Sequence, residues 1–198
     1  MQVNNLMEIK MTIFLETSRL LLNAPTLEDD VHLIINLRSD PEVMRYMGDG
    51  NTQNEAQTYE FLTQAISYYN QYKMGICSVF EKKSNKFMGQ AGLMHLGFNT
   101  NNEEIEISYR LDKQFWGNGY ATEIVSCLVA WGFANLSVDQ LIAITYPANI
   151  ASQRVLTKSG FKYKEKIYWF GNTELLKFNI YSKLISSREI NMKGSVNE

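Results

Sequence analysis

Gln114-Phe115-Trp116-Gly117-Asn118-Gly119-Tyr120-Ala121-Thr122-Glu123 is the stretch on which the reading of this chain turns. Two glycines bracket Asn118 just ahead of a helical apolar period, with Ala121, Ile124, Val125, Leu128 and Gly132 on one stripe and Val129 and Phe133 beside it. Such a turn leaves several backbone N–H groups pointing outward at a helix N-terminus, where unsatisfied donors and the helix dipole favour an anion such as phosphate. A Gly-x-Gly triplet also arises by chance about once in a chain of this length, so a plain glycine-rich link from strand to helix fits the same residues. The dinucleotide fingerprint is excluded because Thr122 stands where a third Gly or Ala is needed, and the nucleoside-triphosphate loop because Gly-Lys-Ser/Thr is absent.

Outward from the loop, Glu103–Leu111 alternates strictly. Ile105, Ile107, Tyr109 and Leu111 take one face, while Glu104, Glu106, Ser108 and Arg110 give a second face that reads as polar throughout. The loop leads through a helix over Tyr120–Ala134 to a strand run at Leu141–Thr145, a strand, helix, strand crossover that makes its two strands parallel. Antiparallel segments bracket it: Gly75–Glu81 and Phe87–Leu96 about the polar turn Lys82–Lys86, and a hairpin of Phe161–Phe170 with Glu174–Leu184 around Gly171-Asn172. Further helices are expected after Thr26-x-x-Asp29, from the start signal Asp40-Pro41-Glu42, over 54–72 with Phe61, Leu62, Ala65, Ile66 and Tyr69 in period, and over Ile150–Ser159, closed by Gly160 and Phe161. Leu20-Leu21-Leu22 reads as a short strand stopped by Pro25. The expected class is a single-domain α/β (α+β) fold with a mixed, mostly antiparallel sheet and helices on both faces. Its boundaries are residues 16–184, after an N-terminal extension over 1–15 and before a polar tail over 185–198.

The 198 residues carry 19 basic and 21 acidic side chains, a formal net charge of −2. That balance argues against direct nucleic-acid binding and against a polybasic membrane surface. With 45% hydrophobic and 20% charged residues the composition is that of a folded globular chain. No run approaches the ~18 apolar residues of a membrane span, the Met1–Thr12 leader lacks a signal-peptide pattern, and Cys77 and Cys127 sit in apolar segments, so a reduced, cytoplasmic protein is expected. His32 and His95 with two distant cysteines give no transition-metal constellation.

Gln114-x-x-Gly117-x-Gly119 followed by Tyr-Ala-Thr-Glu resembles the acyl-CoA pyrophosphate loop of the GCN5-related N-acetyltransferase (GNAT) superfamily, in the branch similar to the ribosomal-protein N-terminal (RimJ/RimL-like) acetyltransferases. Four further stretches carry the resemblance in order: Glu16-Thr17-Ser18-Arg19-Leu20, Asp40-Pro41-Glu42-Val43-Met44, Glu106-Ile107-Ser108-Tyr109, and Asn149-x-x-Ser152-x-x-Val155-x-x-Lys158-Ser159-Gly160-Phe161. The resemblance implies acetyl-CoA as co-substrate and no metal. It also implies a central parallel strand pair that splays apart to admit the pantetheine arm.

By the same resemblance, the cofactor-binding residues are Arg110, Leu111, Gln114, Trp116, Gly117, Asn118, Gly119, Tyr120, Ala121, Thr122, Asn149 and Ser152. The pyrophosphate is assigned to the N–H groups of Trp116 to Tyr120, the thioester oxygen to the backbone near Leu111, and the pantetheine to Asn149. Two roles are catalytic: Ser152 as proton donor to the departing thiolate, and Glu106 as base. Each has a plainer alternative, Asn149 as a helix cap with Ser152 in its first turn, and Glu106 as a solvated or ion-paired strand residue. The acceptor implied is a primary amine, a protein N-terminal α-amine in this branch, with a small-molecule amine or a non-catalytic acyl-CoA-binding module as alternatives. Monomer and homodimer both remain open.

Overall fold

Short apolar segments rich in β-branched and aromatic residues assemble into one sheet, while the two strongly periodic segments and three shorter ones form helices. The computed structural model describes residues 12–169, 171 and 173–182, the side chains of 28–30 excepted. In chain order the elements are β1 (Ile13–Glu16), β2 (Leu20–Asn23), α1 (Leu27–Ser39), α2 (Pro41–Met44), α3 (Glu55–Tyr72), β3 (Ile76–Glu81), β4 (Lys86–His95), β5 (Ile105–Leu111), α4 (Tyr120–Asn135), β6 (Gln140–Thr145), α5 (Ile150–Lys158), β7 (Lys162–Trp169) and β8 (Thr173–Tyr181). The sheet runs β1-β2-β3-β4-β5-β6-β8-β7, antiparallel throughout except for β5 beside β6. This is the mixed, mostly antiparallel α/β architecture expected from the sequence. Among the described residues no helix is long and apolar enough to cross a membrane.

Local signals set several boundaries. The Asp40 side chain accepts from Glu42 N at 2.8 Å with Pro41 in the first turn, which separates α2 from α1 where the Asp-Pro pair predicts a break. Helix α3 is opened by a reciprocal box in which Asn54 and Gln57 satisfy one another's backbone N–H groups. The capping pattern read at Thr26 depends on the Asp29 side chain, and the hairpin turn on Asn172; both lie outside the described residues, as do 1–11 and the tail 185–198.

One boundary differs from expectation. Residues 13–15, set apart as extension, lie in β1, which pairs with β2 and brings Phe14 edge-on to Trp131 at 4.7 Å. Strand β8 lies between β6 and β7, so the final hairpin enters the sheet by its second arm. The Tyr68, Tyr69 and Tyr72 group serves packing: Tyr68 stacks among Tyr72, His95 and Phe98, and its hydroxyl lies 2.5 Å from His95 Nδ1.

The faces of β5 explain where chemistry is placed. Ile105, Ile107 and Leu111 join the core beneath α4, whose Gly132 packs on Leu141 and Leu93. On the alternate face Phe61 of α3 lies 5.7 Å from the Arg110 guanidinium and Glu106 is only 7% exposed, so the face read as polar is at least half-buried. Against β4 the strand is paired along its whole length, whereas against β6 it is bridged at a single position, Glu106 opposite Ile142. Beyond that bridge the two parallel strands separate.

Candidate active site

The loop after β5 is shaped by its own side chains. Asp112 accepts from Gln114 N at 3.0 Å, Trp116 Nε1 donates to Leu111 O at 2.8 Å, and the Asn118 amide folds back onto Trp116 O at 3.0 Å. Gly117 and Gly119 both stand at φ +79°, the left-handed region that favours glycine, and Gly119 is the N-cap of α4. A Cβ at Gly117 would meet nothing within 4 Å, so the rim of the loop is open there.

A clamp holds this rim from behind. The Glu123 carboxylate, in the first turn of α4, accepts from Thr17 Oγ1 (2.6 Å), Ser18 Oγ (3.0 Å), Arg19 N (3.0 Å) and Arg19 Nε (2.6 Å). Burial pushes the Glu123 carboxyl up, but these donors outweigh it and hold it below the usual carboxylate range. Arg19 also reaches Asn118 O at 3.2 Å and lies over the Tyr120 ring at 4.2 Å. The Thr17-Ser18-Arg19 stretch therefore fixes the loop to the sheet, a task that the sequence reading did not assign to it.

The rim opens on a cavity of about 500 Å3 bounded by α2, the end of β5, the loop and α5. Of the expected residues, Arg110, Leu111, Trp116, Gly117, Gly119, Tyr120, Ala121, Thr122, Asn149 and Ser152 line it. Three do not: Gln114 faces a separate groove beside α1, the Asn118 side chain is turned back on the loop, and Glu106 lies deeper, at the bridge between β5 and β6. The Trp116 N–H already donates to Lys113 O at 3.1 Å, which leaves an anion the amides after it.

Sequence reasoning missed Arg45, Arg154 and Lys158, which with Arg110 put four cations on the wall against Glu42, itself paired to Lys113 at 2.7 Å. Only the i, i+4 spacing of Arg154 and Lys158 hinted at this, because the charges come from distant parts of the chain.

Asn149 caps α5 by accepting from Ser152 N at 3.1 Å, as the plainer alternative has it. Ser152 Oγ lies 2.9 Å from the hydroxyl of Tyr109, another residue the reading left as apolar packing. Burial pushes the Tyr109 phenol up to about 12. It also lifts the Glu106 carboxyl to about 7, against the lowering effect of a hydrogen bond from the Gly97 backbone. Among the described residues there is no group of three His, Cys, Asp or Glu side chains placed to hold a metal ion.

The family model described as an acetyltransferase (GNAT) domain matches residues 19–162. The chain belongs to the GNAT acetyltransferases. A curated relative, the uncharacterized N-acetyltransferase YoaA of Bacillus subtilis, is 32% identical over 179 residues, spanning 88% of this chain and 98% of YoaA. Among solved structures, an acetyltransferase (GNAT family) from Bacillus anthracis superposes with a TM-score of 0.73 at 20% identity, covering 85% of this chain and 98% of that one. RimL, a ribosomal L7/L12 alpha-N-protein acetyltransferase in complex with coenzyme A, superposes with a TM-score of 0.70 at 15% identity, covering 85% and 97%. As a GNAT acetyltransferase the chain is an acetyl-CoA-dependent acyltransferase.

The residues present fit that co-substrate. An open glycine rim at a helix N-terminus, with Arg45, Arg154 and Lys158 on the wall, suits a phosphorylated carrier, and the strand pair, unbridged beyond Glu106 and Ile142, leaves a slot for an extended arm. Gly117→Val fills the open rim. Its expected result is a rise of about tenfold or more in the KM for acetyl-CoA, with a loss of about 1–2 kcal/mol in stability from the left-handed backbone; steady-state kinetics and a thermal melt read the two effects separately.

Proposed function

We propose that this GNAT enzyme acetylates a protein N-terminal α-amine, of the ribosomal-protein type, by direct attack within a ternary complex. The observation that carries the reading is Glu106, buried where the central strands part and held near neutrality. A base of about 7 matches an α-amine near 8 better than a lysine near 10.4. The fold shared with RimL supports the same acceptor class. The reduced state expected of Cys77 and Cys127 accords with a cytoplasmic enzyme.

Acetyl-CoA supplies an activated acetyl thioester when bound. Glu106 takes the proton that the attacking amine loses as its bond to the acetyl carbon forms. The Leu111 backbone N–H, at the open end of β5, is the donor proposed for the carbonyl oxygen as charge gathers there. Ser152 gives its hydroxyl proton to the sulfur as the carbon–sulfur bond breaks, and Tyr109, 2.9 Å from Ser152 Oγ, orients that hydroxyl and replaces the proton. Neither cysteine lies on the cavity wall, so the reading needs no acetyl-enzyme.

Ser152→Ala is expected to lower kcat by about tenfold or more, with a smaller effect on the KM for acetyl-CoA, and Tyr109→Phe to lower kcat less. Equal turnover in Ser152→Ala and wild type would remove Ser152 from the step. The acceptor class is tested by thiol release with a panel of peptide N-termini and small amines. Transfer to small amines alone, with no peptide N-terminus acetylated, would overturn it.

A further inference from the structure

Two arginines that meet at Phe61 of α3, one from α1 and one from β5, have no carboxylate partner among the described residues. Arg38, in the last turn of α1, is 3% exposed, and its guanidinium lies 3.6 Å from the centre of the Phe61 ring. The Arg110 guanidinium lies 5.7 Å from the same ring. Arg38 donates only to neutral oxygens, Gln53 Oε1 at 2.6 Å and Gln90 Oε1 at 3.4 Å, and Arg110 meets Met44 Sδ at 3.4 Å. The acids next to them in sequence are engaged elsewhere: Asp40 and Glu42 pair with Lys113 at 3.2 and 2.7 Å, and Asp112 caps its own turn.

Burial, and secondarily the charge of Arg110, pushes the Arg38 guanidinium down to about 8, and burial pushes Arg110 down to about 10. Arg38 is thus almost fully buried without a counter-ion, while Arg110 is part-buried at the cavity wall, and a charge taken out of water without a partner is costly. Gln90 adds a further donor. It is 1% exposed, stands opposite Arg110 in the β4–β5 register, and its Nε2 has no partner. The cluster thus offers buried and part-buried N–H groups in excess of acceptors, the complement of a carboxylate. Arg110 also lines the cavity, which gives an anion its route in.

We propose that Arg110, backed by Arg38 and Gln90, forms an anion subsite for the acceptor, so that the amine acetylated belongs to a molecule bearing a carboxylate. This rests on the acetyl-transfer reading above. Arg110 and Glu106 share one face of β5 four residues apart, roughly 13 Å along the strand. A separation of that order suits an acidic side chain in the first residues of a peptide, and is too long for a carboxylate on the reacting carbon itself.

The test compares two amidated dipeptides, serine followed by glutamate and serine followed by glutamine, which differ in one charge. Wild type is expected to favour the glutamate peptide by about tenfold or more in kcat/KM, and Arg38→Met and Arg110→Met to bring the ratio toward unity. Arg110→Lys, which keeps the charge, retains part of the preference. Independently of turnover, millimolar glutarate should raise the melting temperature of wild type and not of Arg38→Met. Equal use of both peptides by wild type, or a preference that survives in both Met variants, overturns the proposal. So does a rise in the KM for acetyl-CoA with the peptide ratio unchanged, which would assign the arginines to the phosphates of CoA. If the acetyl-transfer reading itself fails, neither peptide releases thiol, and the glutarate melt still decides whether the anion site exists.

Discussion

Replacing Glu106 with Gln lowers kcat by about 10²–10⁴-fold, the range for loss of a general base, while acetyl-CoA binding persists because Glu106 lies off the cavity wall. Wild-type activity should rise through pH of about 7 as the carboxyl ionises, and the variant should lose that limb. Stability carries the opposite signature. The folded carboxyl titrates above its unfolded value of about 4.5, so between that value and about 7 the folded form holds more protons than the unfolded form. Wild type therefore loses stability as pH rises through this window, by up to about 3 kcal/mol at 1.36 kcal/mol per unit. Glu106→Gln should lack this fall and be more stable than wild type at pH 8. A pH series of urea melts checks the sign. A variant that kept both full turnover and the acid limb would remove Glu106 from the reaction.

Gly92→Ala has the largest effect expected on folding. Gly92 stands in β4 opposite Ile76 of β3 and Ser108 of β5. An added Cβ would fall 1.7 Å from Gly75 O, 2.7 Å from Gly75 C and 3.1 Å from Ile76 Cα. Each obstacle is backbone, so no side chain can swing away, and the strands must part at the centre of the sheet. Overpacking of this kind costs about 3 kcal/mol or more, a fall of roughly 6–12 °C in Tm for a chain of this size. A melt within 2 °C of wild type would refute the close approach.

The fold was legible where local pattern and long-range contact agree. Strict alternation marked β5, Asp40-Pro41 marked the break into α2, and the Asn149 and Gly160 signals bounded α5. Strand β1 escaped notice because four half-exposed residues give no alternation, and its support comes from Phe14 against Trp131, far along the chain. The place of β8 between β6 and β7 is a matter of pairing, which no local period reports. At the site, the loop glycines were readable as backbone geometry, whereas the cations at 45, 110, 154 and 158 converge only in space. A net charge of −2 therefore hides four cations gathered around one cavity, which a count over the whole chain does not report. Glu106 was readable as a strand carboxylate, but its burial comes from its place between β4 and β6, on a face that alternation alone makes look wet.

The single bridge between β5 and β6 also gives this sheet more borders than its two outer strands provide. Past Glu106 and Ile142, the backbone at 107–111 on one side and 143–145 on the other forms two inward-facing borders in the middle of the sheet. An open border of this kind invites any extended chain to add itself, which is how sheets aggregate. Here the helices packed on both faces narrow the approach, so a bulky foreign strand is kept out while a slender, nearly side-chain-free arm can enter. A hazard common to β proteins becomes, by enclosure, a filter for the shape of the guest.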